Sequence, residues 1–176
     1  MESFIQLGIM NLFVRSLPKF YDRRGFFQEL HRENITNTFI PETVQDNLSF
    51  SKGPVLRGVH FQDNQWQILT VLSGSIVDVT IDIQRTSETF LKSERLELSD
   101  EGPNQLIIPP GVAHGFCTLS DEVLLLYKSS KYYGETREFG ISWKSEQIFN
   151  LWPDKSWLMS ERDLNFPTLN EFLAPV

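Results

Sequence analysis

The chain has few of the residues that staple or ligate. One cysteine, Cys117, and three histidines, His31, His60 and His114, stand among 176 residues. A lone thiol excludes an internal disulfide framework, and its place in an apolar run reads as a small buried residue rather than a nucleophile. No apolar run approaches the roughly 18 residues of a membrane span. Met1-Glu2-Ser3-Phe4 lacks the basic start and apolar stretch of a secretion signal. Basic residues are the minority: 16 Lys and Arg against 23 Asp and Glu leave a net charge of −7. That sign argues against general nucleic-acid binding and against an anionic membrane surface. It leaves room for a phosphorylated small ligand, which a few local arginines can hold. Helix signals are confined to Arg32–Phe39 and to Thr168–Leu173 after Pro167. Repeats, low-complexity tracts and linkers are absent. The expectation is a single cytoplasmic domain spanning residues 1–176, long enough to bury a full core.

What is present is strand. Val77, Val79, Ile81 and Ile83 alternate with Asp78, Thr80 and Asp82, so Ser75–Ile83 has the period of two that marks a half-buried strand. Ser73-Gly74 before it reads as a hairpin turn from a strand over Gln65–Leu72. Further strands are predicted at Phe26–Leu30, Val44–Phe50, Val55–Phe61, Phe90–Leu98, Gln105–Ile108, Gly115–Leu119 and Val123–Lys128, with Pro109-Pro110-Gly111 as a break. Many short strands with tight turns and almost no helix imply an all-β sandwich or barrel of the jelly-roll kind with short peripheral helices. In such a fold, polar residues on inward faces mark a ligand cavity rather than a core.

The titratable residues that bear on chemistry are few. In Leu56-Arg-Gly-Val-His-Phe-Gln62, simple alternation puts His60 with Leu56, Gly58 and Gln62 on one face, and Arg57 with Val59 and Phe61 on the other. His114 follows the Pro-Pro-Gly turn. A histidine met alone is more often a hydrogen-bonded structural residue than a catalyst. A metal centre is not expected. Position i+2 from His60 is Gln62, no His-x-His pair exists, and two scattered histidines do not make a first coordination sphere.

Taken in order, the motifs carry more. Asp22-Arg-Arg-Gly-Phe-Phe-Gln-Glu29 comes first, then Gln45-Asp-Asn-Leu-Ser-Phe-Ser51 and Leu56-Arg-Gly-Val-His-Phe-Gln62. Val77-Asp-Val-Thr-Ile-Asp82, Pro110-Gly-Val-Ala-His-Gly-Phe116, Tyr132-Tyr133 and Leu158-Met-Ser-Glu-Arg-Asp163 follow. This order and spacing, from about Phe13 to Leu169, resembles the dTDP-4-dehydrorhamnose 3,5-epimerase family of cupin fold. The resemblance implies inversion of C3 and C5, the carbons flanking the ketone of a dTDP-linked 4-keto-6-deoxyhexose. That chemistry needs a base, a stabiliser for the enolate and an acid on the opposite face.

By this resemblance His60 is the base, Asp163 its carboxylate partner and Tyr133 the acid, with Tyr132 as the less favoured tyrosine. Arg24 and Arg57 go to the diphosphate and sugar, where a guanidinium offers paired donors. Gln45 and Asn47 become polar contacts to the nucleotide, Phe20, Phe27 and Glu29 further parts of its pocket, Glu138 a residue near the base, and His114 a second histidine close to the sugar. The resemblance implies no cofactor, and a homodimer in which an N-terminal segment of one subunit completes the partner's site.

Three departures stand out. Gln67 occupies the place of a family lysine that faces the sugar, so a neutral donor replaces a charged one, and charged hydrogen bonds are about twice as strong. Gly134-Glu135 replaces Ala-Pro beside the acid. Lys144-Ser-Glu146 replaces Asn-Asp-Pro. The first departure keeps two alternatives open: a mono-epimerase acting at one carbon, and a cupin that binds the sugar nucleotide without catalysis. A sugar 3,4-ketoisomerase of the same fold has no support in the motifs.

Overall fold

The computed structural model describes residues 4–33 and 40–174. Thirteen strands and three short helices lie among them: β1 Ile5–Gln6, β2 Phe13–Arg15, β3 Lys19–Asp22, β4 Gly25–Gln28, β5 Gln45–Lys52, β6 Leu56–Gln62, β7 Gln67–Ser73, β8 Ser75–Asp82, β9 Ser93–Ser99, β10 Gln105–Ile108, β11 Val112–Thr118, β12 Glu122–Ser129, β13 Glu138–Gly140, then α1 Glu146–Phe149, α2 Glu161–Leu164 and α3 Leu169–Leu173. Two sheets form the body, one ordered β1-β2-β10-β7-β12-β5 and the other β13-β6-β11-β8-β9, and β3–β4 makes a separate ribbon. This is the all-β sandwich that the strand pattern predicts. Among the described residues, no helix is long and apolar enough to cross a membrane.

The interior between the sheets is divided along its length. One end is apolar, where Leu69, Val71, Leu106, Phe116 and Leu125 pack with Ile76 and Leu98. Each such side chain contributes about 1.5–3 kcal/mol through loss of water contact. At the other end the same inward faces turn polar, with Gln67 on β7, Asp78 and Thr80 on β8, and His114 on β11. The alternation of β8 is therefore inverted with respect to a sheet that has one wet face. Val77, Val79 and Ile81 point outward into a second core, built with Leu56, Val59, Phe61, Trp152 and Leu169. The C-terminal segment supplies that cover. Cys117 belongs to this second core, and burial pushes its thiol up to about 12, so it is chemically quiet.

Two local expectations are corrected. Ser73-Gly74 is not a hairpin turn, because β7 and β8 belong to different sheets. Gly74, at φ +86, carries the chain across the sandwich at a point where a Cβ would stand 2.4 Å from the Glu122 carbonyl oxygen. Only glycine fits such a corner.

The second correction is the facing of Arg57. His114 pairs with His60, but Phe116 pairs with Arg57, so three steps on β6 match two on β11. This β-bulge at Gly58-Val59 shifts the alternation by one residue. Arg57 joins His60 and Gln62 on the inner face, while Leu56, Val59 and Phe61 share the outer core.

The predicted strand Phe90–Leu98 begins only at Ser93. The preceding loop is drawn in by the Asp82 carboxylate, which accepts from Ser87 Oγ at 2.5 Å and Thr89 Oγ1 at 2.6 Å. Strands β1, β2, β3 and β13 are too short for periodicity to reveal. The helix expected over Arg32–Phe39 lies mostly outside the described residues. The C-terminal helix is present as α3, capped by reciprocal Thr168 and Glu171 bonds.

Candidate active site

The polar end of the sandwich opens as a cavity of about 280 Å³. His60, Arg57 and Gln62 enter from β6, Gln45 and Asn47 from β5, Gln67 from β7, His114 from β11, and Glu138 from β13. Tyr133 stands at the rim, 86% exposed. Nine of the thirteen site residues predicted from sequence thus gather in or around one space: eight line it, and Asp163 sits behind His60.

Asp163 reaches the site from the single turn of α2. Ser160 caps that helix and accepts from the Asp163 N–H at 3.1 Å. The carboxylate lies 2.8 Å from His60 Nε2 and accepts the Gly58 N–H at 3.2 Å. Burial pushes its pKa up, but the hydrogen bond and charge of His60, with the Gly58 and Ser160 contacts, hold it below the ordinary carboxylate value. A carboxylate on Nε2 assigns the ring proton to that nitrogen and leaves Nδ1 as the acceptor. The His60 ring packs edge-on against Phe166, with centroids 5.6 Å apart, and Phe166 fits because Gly140 beneath it has no Cβ.

A second imidazole–carboxylate pair lies deeper. His114 Nδ1 is 3.1 Å from Asp78 Oδ2, and its Nε2 is 3.2 Å from Gln67 Oε1. Asp78 is fully buried, so loss of solvation raises its pKa against the lowering effect of His114. Asp78 Oδ1 has no hydrogen-bond partner among the described residues. The Tyr127 phenol lining the same cavity is also raised by burial and then by the Asp78 charge.

Tyr133 is presented by a tight turn. Glu135 N–H donates to the Tyr132 carbonyl at 3.1 Å, Gly134 takes φ +90, and the Glu135 carboxylate accepts the Tyr132 N–H at 3.0 Å. This is a type II turn, whose third position demands a positive φ. The departure Gly134-Glu135 is thus accommodated by turn chemistry. Tyr133 N–H is tied to Gln45 Oε1 at 2.7 Å, and Tyr133 rather than Tyr132 lines the cavity. Arg57 is steadied by Ser51 Oγ at 3.2 Å and the Phe50 carbonyl at 3.1 Å.

The remaining four predicted residues stand apart. Phe20, Arg24 and Phe27 belong to the β3–β4 ribbon and Glu29 follows it; none of them lines the cavity of its own chain. Arg24 pairs with Asp22 at 2.6 Å and Glu29 with Arg32 at 2.5 Å. Phe20, Tyr21, Phe26 and Phe27 are all exposed on this ribbon. His31 lies outside the cavity, its pKa lowered by burial and the nearby Lys128 charge.

Sequence reasoning missed Gln62, Lys131, Tyr127 and Asp78 as parts of the site. Asp78 had a signal, since it is one of three polar residues on the inner face of β8. Lys131 had none beyond its position beside Tyr132. Among the described residues, no group of three or more His, Cys, Asp or Glu side chains is arranged to hold a metal.

Comparison with known proteins gives this geometry its context. The family model described as dTDP-4-dehydrorhamnose 3,5-epimerase matches residues 6–171. A dTDP-4-dehydrorhamnose 3,5-epimerase of Shigella flexneri is 40% identical over 167 residues, covering 92% of each chain. The crystal structure of a dTDP-6-deoxy-D-glucose-3,5-epimerase from Legionella pneumophila, in complex with dTDP-4-keto-L-rhamnose, superposes with a TM-score of 0.87 at 34% identity, covering 97% of this chain and 94% of that one. A 3'-monoepimerase from Streptomyces bikiniensis, in complex with dTDP-quinovose, superposes with a TM-score of 0.86 at 28% identity, covering 95% of this chain and 89% of that one. With a family model that spans nearly the whole chain and a relative 40% identical over 92% of each chain, this chain belongs to the dTDP-4-dehydrorhamnose 3,5-epimerase family of cupin-fold isomerases.

Proposed function

We propose that this chain inverts C3 and C5 of a dTDP-linked 4-keto-6-deoxyhexose, with His60 as base and Tyr133 as acid. The observation that carries this reading is the His60–Asp163 pair at 2.8 Å, with Nδ1 left to accept a proton inside the cavity. The base takes the proton α to the ketone, and the electron pair moves onto the carbonyl oxygen as an enolate. Asp163 stabilises the imidazolium that results. Tyr133 O–H then returns a proton to the opposite face of the same carbon, inverting it; solvent reprotonates the phenolate and takes the proton from the imidazolium, which restores both groups. The ketone's own acidity supplies the chemistry, so no cofactor enters the sequence. Arg57 and Lys131 bring positive charge to the cavity for the diphosphate, whose oxygens suit guanidinium and ammonium donors. Gln45 and Asn47 offer amide contacts to the nucleotide.

The working unit in this proposal is a homodimer. Four exposed aromatic side chains on the β3–β4 ribbon and the exposed Leu48 and Phe50 on edge strand β5 are what a partner copy would cover. Phe20, Arg24, Phe27 and Glu29 would then serve the partner's cavity. Sedimentation measures the first point. For the second, mixing Arg24→Ala with His60→Asn chains should restore activity in heterodimers that carry one intact composite site.

The reaction is tested with dTDP-4-keto-6-deoxyglucose in D₂O, followed by proton NMR. Loss of both the C3 and C5 signals with the wild type, and of neither with His60→Asn, is the expected result. Exchange at one carbon only would instead make the chain a mono-epimerase. Gln67, an uncharged amide beside the reacting sugar, is the observation that favours that second reading. Binding of dTDP without exchange at either carbon would leave a non-catalytic sugar-nucleotide cupin.

A further inference from the structure

Arg162 and Asp163 are consecutive residues of α2, and each leads to one of the two cavity histidines. Asp163 touches His60 directly. Arg162 Nη2 contacts Glu138 Oε1, and from there the hydrogen bonds run inward without a gap. Gln62 Nε2 donates to Glu138 Oε2 at 3.3 Å, Gln67 Nε2 donates to Gln62 Oε1 at 2.8 Å, and Gln67 Oε1 faces His114 Nε2 at 3.2 Å. His114 Nδ1 ends the series on Asp78 at 3.1 Å.

The direction of this series is dictated at its outer end. An ionised carboxylate has no proton to donate, so Glu138 obliges Gln62 to present its amide nitrogen. Gln62 must then offer its oxygen to Gln67, which turns the Gln67 oxygen toward His114. His114 Nε2 therefore has to carry a proton. Its Nδ1 faces a carboxyl oxygen, and that contact also needs one proton between the two atoms. We infer that Arg162, acting through Glu138, Gln62 and Gln67, locks the His114–Asp78 pair in a doubly protonated, net neutral form, so that one short helix sets His60 as acceptor and His114 as donor in the same cavity.

The electrostatic consequence bears on the proposed reaction, and this part of the inference rests on that reading. A His114–Asp78 pair holding only one proton would place an unbalanced negative charge beneath a site where an enolate forms and a diphosphate binds. The doubly protonated pair removes that repulsion, and its Nε2–H polarises the Gln67 amide that stands beside the sugar. Burial, which raises the Asp78 pKa, works in the same direction. Arg162 and Glu138 are positioning residues in this scheme.

The test is ring ¹⁵N NMR of His114 in the ligand-free protein at pH 7, assigned with His60→Asn and His31→Gln backgrounds. In the wild type, His114 Nε2 should give the shift of a protonated nitrogen. Glu138→Gln gives the outer end an amide that can donate, so the whole series can reverse. Gln67 then donates to Nε2, which should move to the unprotonated shift. Arg162→Leu should move part of the way, and Arg162→Lys should restore the wild-type spectrum. In turnover, Glu138→Gln should lower kcat by about 10–100-fold, less than the roughly 10²–10³ lost with a donor that touches the reacting oxygen directly, while Arg162→Lys stays near wild type. An unprotonated Nε2 in the wild type, or a shift indifferent to Glu138→Gln, overturns the inference. A protein that shows the predicted shifts yet exchanges no substrate proton would keep the relay and overturn the proposed reaction.

Discussion

Replacing Asp163 by Asn tests the His60 dyad while changing almost no volume. The carboxylate is 4% exposed and 2.8 Å from His60 Nε2. When His60 takes up a proton, the new cation and Asp163 attract each other. At a charge separation of about 4 Å and an effective dielectric of about 20, that attraction is about 4 kcal/mol. Its loss alone slows proton abstraction by roughly 10³. A second effect adds to it. Asn can accept the Gly58 N–H with its oxygen and turn its NH₂ toward His60, which leaves Nε2 an acceptor and puts the ring proton on Nδ1, the nitrogen that must act as base. In a serine protease the corresponding change costs about 10⁴ in kcat. The expected fall is therefore about 10³–10⁴ in the rate of C3 and C5 proton exchange, with dTDP affinity changed less than threefold by calorimetry. Activity within tenfold of wild type would refute the assignment of His60 Nδ1 as base.

Other perturbations read other parts of the structure. Gly58→Ala places a Cβ 2.6 Å from Gly115 Cα at a residue with φ +122, and should cost about 2–4 kcal/mol in urea unfolding, as clashes and strained backbone do. Phe116→Ala empties the apolar end of the sandwich, where the ring is 1% exposed, and should cost about 3–5 kcal/mol in the same assay. Two pH series have opposite signs. Asp163 is depressed below its ordinary value of 3.8, so its contribution is full above that pH and is lost as pH falls through the folded pKa. Thermal melts of wild type and Asp163→Asn should accordingly converge in acid. Asp78 is raised from 3.8 by burial, so ionising it works against the fold as pH climbs from that value through the folded pKa. Asp78→Asn should thus lose less stability than wild type over that rise, even as it loses activity.

The sandwich was legible because its long strands repeat every second residue. The identity of the inner face was legible only in part. Asp78, Thr80 and Asp82 look like a solvent face by composition, yet they are the inside, because the C-terminal segment buries Val77, Val79 and Ile81 from without. Arg57 defeated alternation because a bulge depends on the register against β11, and no property of residues 56–62 alone discloses a partner strand. Ser73-Gly74 does break the strand, but as a one-residue bend between sheets and not as the predicted hairpin turn: a positive φ reverses or redirects the chain, and only the sheet assignment says which. Asp163 lies 103 positions from His60, beyond any spacing rule, and was found through the resemblance. Lys131 at the cavity and the Arg162–Glu138 contact depend on how distant segments meet in the fold, which no local pattern encodes.

The position of α2 has a consequence for the order of events during synthesis. Leu158 bridges to Val55, Asp163 holds His60 and Gly58, and Leu169 closes the outer core. Everything that would make β6 a catalytic strand arrives with a segment translated after β13. A nascent chain interrupted before Asp163 would have its cavity walls but an untuned imidazole and a bare apolar sheet. A protease that trims the same segment would recreate that state, so loss of activity should serve as an early sensor of C-terminal damage, ahead of gross unfolding.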